Sequence, residues 1–187
     1  MKRNFHFYNY IGFANLVFIT LVITTSNYLS GGINFRELPI SALGGDPNVG
    51  LYFNSGLIIF AVAQTIFALI ISHKGEVNQK TNSLFIAGGI SLVLAGYYDY
   101  SNYPAIHNLF GTLSVVFTAL GLVIVSNVLF PKRSISRYIS DFSLILVVMS
   151  FYLQEYLPGA QWEAVLVLGV IILNIIFSIP LIKHSRE

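Results

Sequence analysis

Six stretches of roughly twenty apolar residues, each separated from the next by a polar connection, constrain this chain more than any other feature. They run from Ile11 to Ser30, Leu51 to Ser72, Ser83 to Tyr98, Ala105 to Phe130, Tyr138 to Leu157 and Trp162 to Lys183. A hydrocarbon core about 30 Å thick is crossed by ~20 helical residues, and backbone polar groups inside it must pair internally, so such stretches become helices. The pattern predicts an all-α membrane protein, with six transmembrane helices in one compact bundle and residues 1–187 forming a single domain. The third stretch is the shortest. At ~1.5 Å per residue it reaches about 24 Å, so it is expected to begin inside the preceding polar loop or to stand upright. The first follows Met1-Lys2-Arg3, as a signal peptide would, but it is too long for a typical signal core and lacks a small-x-small cleavage site; it counts as a span.

Composition narrows the chemistry. With 55% hydrophobic and 10% charged residues the chain is far from a soluble balance, and nucleic acid is not an expected partner. It has no cysteine, which excludes disulfides, thiolate nucleophiles and iron–sulfur ligation. No pair of histidines lies within the spans, so transmembrane haem is not expected and no cofactor is assigned.

Charge placement sets the expected threading. Lys2, Arg3, Lys74, Lys80, Lys132, Arg133, Arg137, Lys183 and Arg186 fall on one side of the six spans, and of the 10 basic residues only Arg36 falls on the other. The positive-inside rule then puts both termini in the cytoplasm and the chain in the cell membrane. Tyr97, Tyr98, Tyr100, Tyr103, Tyr156 and Trp162 collect at the opposite, outer interface, where aromatic rings with polar edges settle.

The outer connections differ. The first, residues 31–50, is rich in Gly, Pro and Asn yet contains Phe35, Leu38, Ile40 and Leu43. It reads either as a lid folded over the bundle or as a segment lying among headgroups. Small and polar residues gather at helix contacts in membranes, and three stripes at helical spacing identify the inward faces. They are Asn54, Ala61, Thr65, Ala68 and Ser72; Gly88, Ser91, Ala95 and Asp99; and His107, Gly111, Ser114, Thr118, Gly121 and Val125. If the stripes face one another, Asn54, Asp99 and His107 converge below the outer surface, with Glu155 and Glu163 near them. Three deeper polar residues, Asn15, Gln64 and Asn174, are expected to satisfy one another between helices.

Ile40-Ser41-Ala42-Leu43-Gly44 in the first outer loop, Phe53-Asn54-Ser55-Gly56-Leu57 opening the second span, and the Asp99 turn leading into Ile106-His107-Asn108-Leu109-Phe110 resemble a known family. It is the prokaryotic six-span membrane family catalogued as domain of unknown function 998, and the resemblance covers most of the chain. It implies the same fold and four positions as ligand-binding candidates: Ser41, Asn54, Asp99 and His107. It implies no activity.

Each candidate also has a structural reading. His107 can tie two helices by bonding Asp99 or a loop carbonyl, Asp99 can cap its own turn, and Ser41 and Asn54 can join loop to helix. Glu155 and Glu163 flank Pro158-Gly159 and read as hydrated turn residues. Three functions remain. The first and preferred is an outer pocket holding a lipid headgroup or small amphiphile. The second is a lipid hydrolase or transferase in which Asp99 orients His107 as catalytic base and Asn54 or Ser41 stabilises charge. A metal variant of it would recruit His107, Asp99 and Glu155 or Glu163, and that donor set names no particular ion. The third is an accessory subunit bound to a membrane-protein partner through aliphatic faces.

Overall fold

The computed structural model describes residues 10–34, 36–74, 78–130, 134–153, 156–157 and 159–184. Six long helices make up the described chain: α1 (Ile11–Leu29), α2 (Gly50–Lys74), α3 (Gln79–Tyr97), α4 (Pro104–Leu129), α5 (Ile135–Leu153) and α6 (Gln161–His184). A short 3₁₀ helix, Ile40–Gly45, lies within the first connection. By length and composition α1, α2, α4 and α6 are able to cross a membrane. The other two, α3 and α5, have 19 residues each and carry more polar groups. As the short third stretch required, α3 starts four residues early, inside the polar loop. Asn78 caps it, its Oδ1 accepting the Thr81 amide at 3.2 Å. The fifth helix ends at Leu153, short of the expected Leu157.

Every helix packs on its neighbours in sequence, and α1 also packs on α6, so the six close into a ring. Glycines set the closest approaches. A Cβ on Gly121 would stand 2.5 Å from Phe85 Cε1, and one on Gly88 would stand 2.6 Å from Thr118 Oγ1, so α3 and α4 meet nearly backbone to backbone. The small-residue stripes face inward as their spacing required: Ala61, Ala68, Ser72, Gly88, Ser91, Ala95, Ser114 and Gly121 are all buried.

The surface departs from that of a water-soluble protein. Val17, Leu21, Ile59, Ile90, Val128 and Val148 are each at least half exposed, while Asn15, Ser72, Thr81, Ser126, Asn174 and Ser178 are all under a twentieth exposed. Apolar surface left outward in this way needs a hydrocarbon solvent.

Packing density differs between the two ends. At the end away from the first connection, Phe67, Ile71, Phe85, Val125, Leu173 and Phe177 form one continuous core. At the other end the buried apolar cluster is small: Val22, Leu43, Val49 and Phe53, shared by α1, α2 and the 3₁₀ helix. Leu43 is fully buried, so the connection folds over the bundle, which is the lid arrangement and not the headgroup one. Gly31 and Gly32, with φ of 83° and 84°, end α1 and turn the chain back; the Gly32 amide closes onto Asn27 O at 2.9 Å.

Candidate functional site

Below the folded connection lies a cavity of about 280 Å³. Helices α1, α2, α4 and α6 supply nearly all its wall, including Leu16, Leu57, Phe60, Val115, Leu166 and Val170. Among the described residues α4 and α6 have almost no direct contact, because the hollow separates them. Gly111 of α4 helps to make it: a Cβ there would meet nothing within 4 Å. The volume sits near the lower limit of small-molecule sites, roughly 300 Å³, and far above the space one water needs.

The end beneath the 3₁₀ helix, called its mouth here, is polar: Ser41, His107, Asn108 and Glu163 all line it. Glu163 is in the first turn of α6 and only 9% exposed. Its Oε1 accepts the Ser41 hydroxyl at 3.0 Å, and its Oε2 accepts the amides of Ile40 and, at 3.4 Å, Ser41. The carboxylate therefore fastens the 3₁₀ helix to α6. This corrects the reading of Glu163 as a hydrated turn residue. Periodicity could not show it, since the partners are 122 residues apart; the available signal was a lone acid in the first turn of an otherwise apolar span.

His107, at 7% exposure, joins α4 to the end of α3. Its Nδ1 lies 2.9 Å from Ala95 O and 3.0 Å from Tyr98 O. Carbonyls only accept, so Nδ1 carries the proton, and in the neutral ring Nε2 is left as an acceptor. Tyr100 packs edge-on against the ring, with centroids 5.8 Å apart.

Asp99 is not the partner of His107. Its carboxylate accepts the Asn102 amide at 2.8 Å and the Asn102 side chain at 3.0 Å. That side-chain bond, working against burial and helped by the Asn102 and Ser101 amides, holds the Asp99 carboxyl below its ordinary range. Asp99 thus caps the α3–α4 turn, as its structural reading had it, and the expected Asp99–His107 pair is not assembled. Asn54 also stands apart from the cavity: its Nδ2 donates to Gly44 O at 2.9 Å and supports the 3₁₀ helix from below. Of the three groups expected to converge, only His107 reaches the hollow, where it joins Ser41. Glu155 lies outside the described residues, and among those described no three His, Asp or Glu side chains gather as a metal site would require.

Exposed apolar helices, polar side chains buried between them and a binding-sized cavity with a polar end define a multi-pass helical membrane protein. Residues 13–179 match the family model described as protein of unknown function (DUF998), and the chain belongs to that family. No curated protein and no solved structure matches it.

Proposed function

We propose that this is a six-span protein of the prokaryotic cell membrane, with both termini cytoplasmic, whose outer-leaflet cavity binds a lipid or other small amphiphile. The observation that carries the reading is the hollow itself: a polar end of Ser41, His107 and Asn108 beside walls that are mostly apolar within a ring of helices. Such a gradient matches a head joined to a chain. Among the described residues no Lys or Arg lines the cavity, and Glu163 is engaged by the first connection, so the complement is an uncharged, hydrogen-bonding head and not a phosphate. The 3₁₀ helix, closed over the mouth by Glu163, is the lid. Lipid hydrolysis or transfer by an Asp99–His107 pair draws no support from this geometry, because the carboxylate caps its own turn. An accessory role rests on the exposed aliphatic faces, which lipid alone also requires.

The test is native mass spectrometry of the protein released from mild detergent, wild type beside Gly111→Leu. A Cβ there meets nothing, and leucine extends from it to take up part of the hollow that Gly111 lines. An adduct retained by wild type and lost from the variant supports the reading. Wild type released bare, or an adduct indifferent to the substitution, sinks it.

A further inference from the structure

The cavity is closed above and below. Above, the 3₁₀ helix is pinned to α1, α2, α6 and the α3–α4 turn. Glu163 of α6 accepts from Ile40 and Ser41, and Leu43 is buried with Val22, Val49 and Phe53. Asn54 of α2 donates to Gly44 O at 2.9 Å, and a Cβ on Gly45 would collide with the Ser101 side chain. A ligand crossing this roof would have to undo several of these contacts at once. Below, Leu122 and Leu173 line the floor and belong to the continuous core. The expectation that Asn15, Gln64 and Asn174 satisfy one another holds for the first two only: Asn15 Nδ2 donates to Gln64 Oε1 at 3.3 Å, while Asn174 Nδ2 turns to Val170 O of its own helix at 2.9 Å.

The side between α4 and α6 is different. Those two helices hardly touch, and Val147 is the one described residue of α5 that lines the cavity. Helix α5 shares with α4 the core below, around Val125, Phe130 and Leu144. On α4, Asn108 and Thr112 both line the cavity and are exposed, and Gly111 beside them has no side chain to close the gap. A residue that lines a hollow and is also exposed marks where the hollow reaches the surface. Leu109 of α4 and Val148 of α5, each over half exposed, make that surface apolar. Asn108 and Thr112 lie four and eight residues beyond Pro104, about 6 and 12 Å along the helix, and half-exposed Tyr103 just before it marks the interface level. Hydrocarbon, not water, therefore stands outside the gap.

Size points the same way. At about 280 Å³ the hollow falls short of the roughly 300–1,000 Å³ that encloses a drug-sized molecule. A membrane lipid is larger still, so most of it must stay outside, and the gap gives it a place to do so. We infer that the cavity fills sideways from the outer leaflet, through the gap at Asn108, Gly111 and Thr112, and that its ligand is a two-chain lipid with a small uncharged head. The head occupies the polar end while the chains run out between α4 and α6 into the bilayer. This rests on the reading of the cavity as an amphiphile site and adds the source of the ligand and its route.

Dioleoylglycerol and the water-soluble monooctanoylglycerol, which share a glycerol head, serve as probes. The chain has no cysteine, so Thr112→Cys puts a single thiol in the gap, which benzyl methanethiosulfonate blocks and dithiothreitol frees. Full-length protein in mild detergent is loaded with each probe, the block being applied before loading or after it, and adducts are read by native mass spectrometry. Blocking first should cut the dioleoylglycerol adduct about tenfold or more at a fixed time, as a barrier raised by about 1.4 kcal/mol does. Blocking after loading should trap the adduct against a wash with empty micelles, and dithiothreitol should release it. Wild type, with no thiol, should not respond to the reagent. Asn108→Cys offers a second thiol in the same gap should Thr112→Cys fail to fold. Loading and washing indifferent to the block overturn the inference, and faster exchange in Glu163→Ala would then place the route through the roof. Displacement of the adduct by a block applied after loading makes Thr112 part of the bound site and overturns it too. Uptake of monooctanoylglycerol alone overturns the membrane lipid and leaves the amphiphile site standing; uptake of neither probe overturns both.

Discussion

Glu163 Oε1 accepts the Ser41 hydroxyl at 3.0 Å, and this pair joins the first connection to the start of the last helix. One carboxylate, buried at the cavity mouth, holds the 3₁₀ helix in place through three donors. Replacing it with alanine leaves the Ile40 and Ser41 amides without their acceptor, and hydrogen bonds to a charged group are each worth about 1.5–3 kcal/mol. Glu163→Ala should therefore destabilise the bundle by about 2–4 kcal/mol, with Glu163→Gln in between. Hydrogen exchange at residues 40–45 should rise sharply in Glu163→Ala; protection equal to wild type would show that the lid is held by Leu43 alone.

His107 acts on a different joint. Its Nδ1–H is shared between two carbonyls at the end of α3, so His107→Ala frees both acceptors and loosens α3 from α4. A loss of about 1–3 kcal/mol in thermal unfolding is expected. Asp99→Asn should leave this joint and any cavity adduct unchanged, since Asp99 bonds only within its own turn. Equal adduct loss in both variants would restore the Asp99–His107 pair.

Gly111 and Gly121 lie on the same helix but should respond oppositely. A side chain at Gly111 enters open space and replaces a poor helix former, so Gly111→Leu should unfold no earlier than wild type. A Cβ at Gly121 meets the ring of Phe85, which is 1% exposed, and Gly121→Ala should cost about 1–3 kcal/mol. Melting curves in one detergent compare the two directly; matching shifts would mean that the hollow at Gly111 closes in solution.

The Asp99 turn carries an acid dependence of known sign. Its folded carboxyl is held below the ordinary value, first by the Asn102 side chain. The turn's extra stability is thus fully present above the ordinary carboxylate value and is lost as pH falls through the lowered folded one. Protection of the Asn102 and Tyr103 amides should decline only in that acid range, and Asp99→Asn should abolish the dependence. A decline centred near neutrality would assign it to another group.

Threading can be read directly, because the chain has no cysteine of its own. With Glu37→Cys and Lys80→Cys made singly, a membrane-impermeant maleimide applied to intact cells should label the first and spare the second. The reverse pattern would invert the protein and move the cavity mouth to the cytoplasmic leaflet.

Much of this was legible in the linear chain. Apolar run length specifies helices because no other open structure pairs its backbone in hydrocarbon, and small residues at every third or fourth position mark inward faces because only they let helices approach. Both are local rules, and they placed Gly88, Ser91, Ser114 and Gly121 correctly. Orientation of His107 into the bundle followed from the same spacing. The choice of partner did not. Asp99 is eight residues from His107 in sequence, yet Asn102 is nearer in its own turn and takes the carboxylate first. Glu163 meets Ser41 only because the ring closes α1 on α6 and brings the last helix under the first connection. The hollow itself, lined from α1, α2, α4 and α6, belongs to no segment. It exists because six helices that pack tightly at one end have too little side-chain volume to fill the other, and that mismatch is a property of the assembled ring alone.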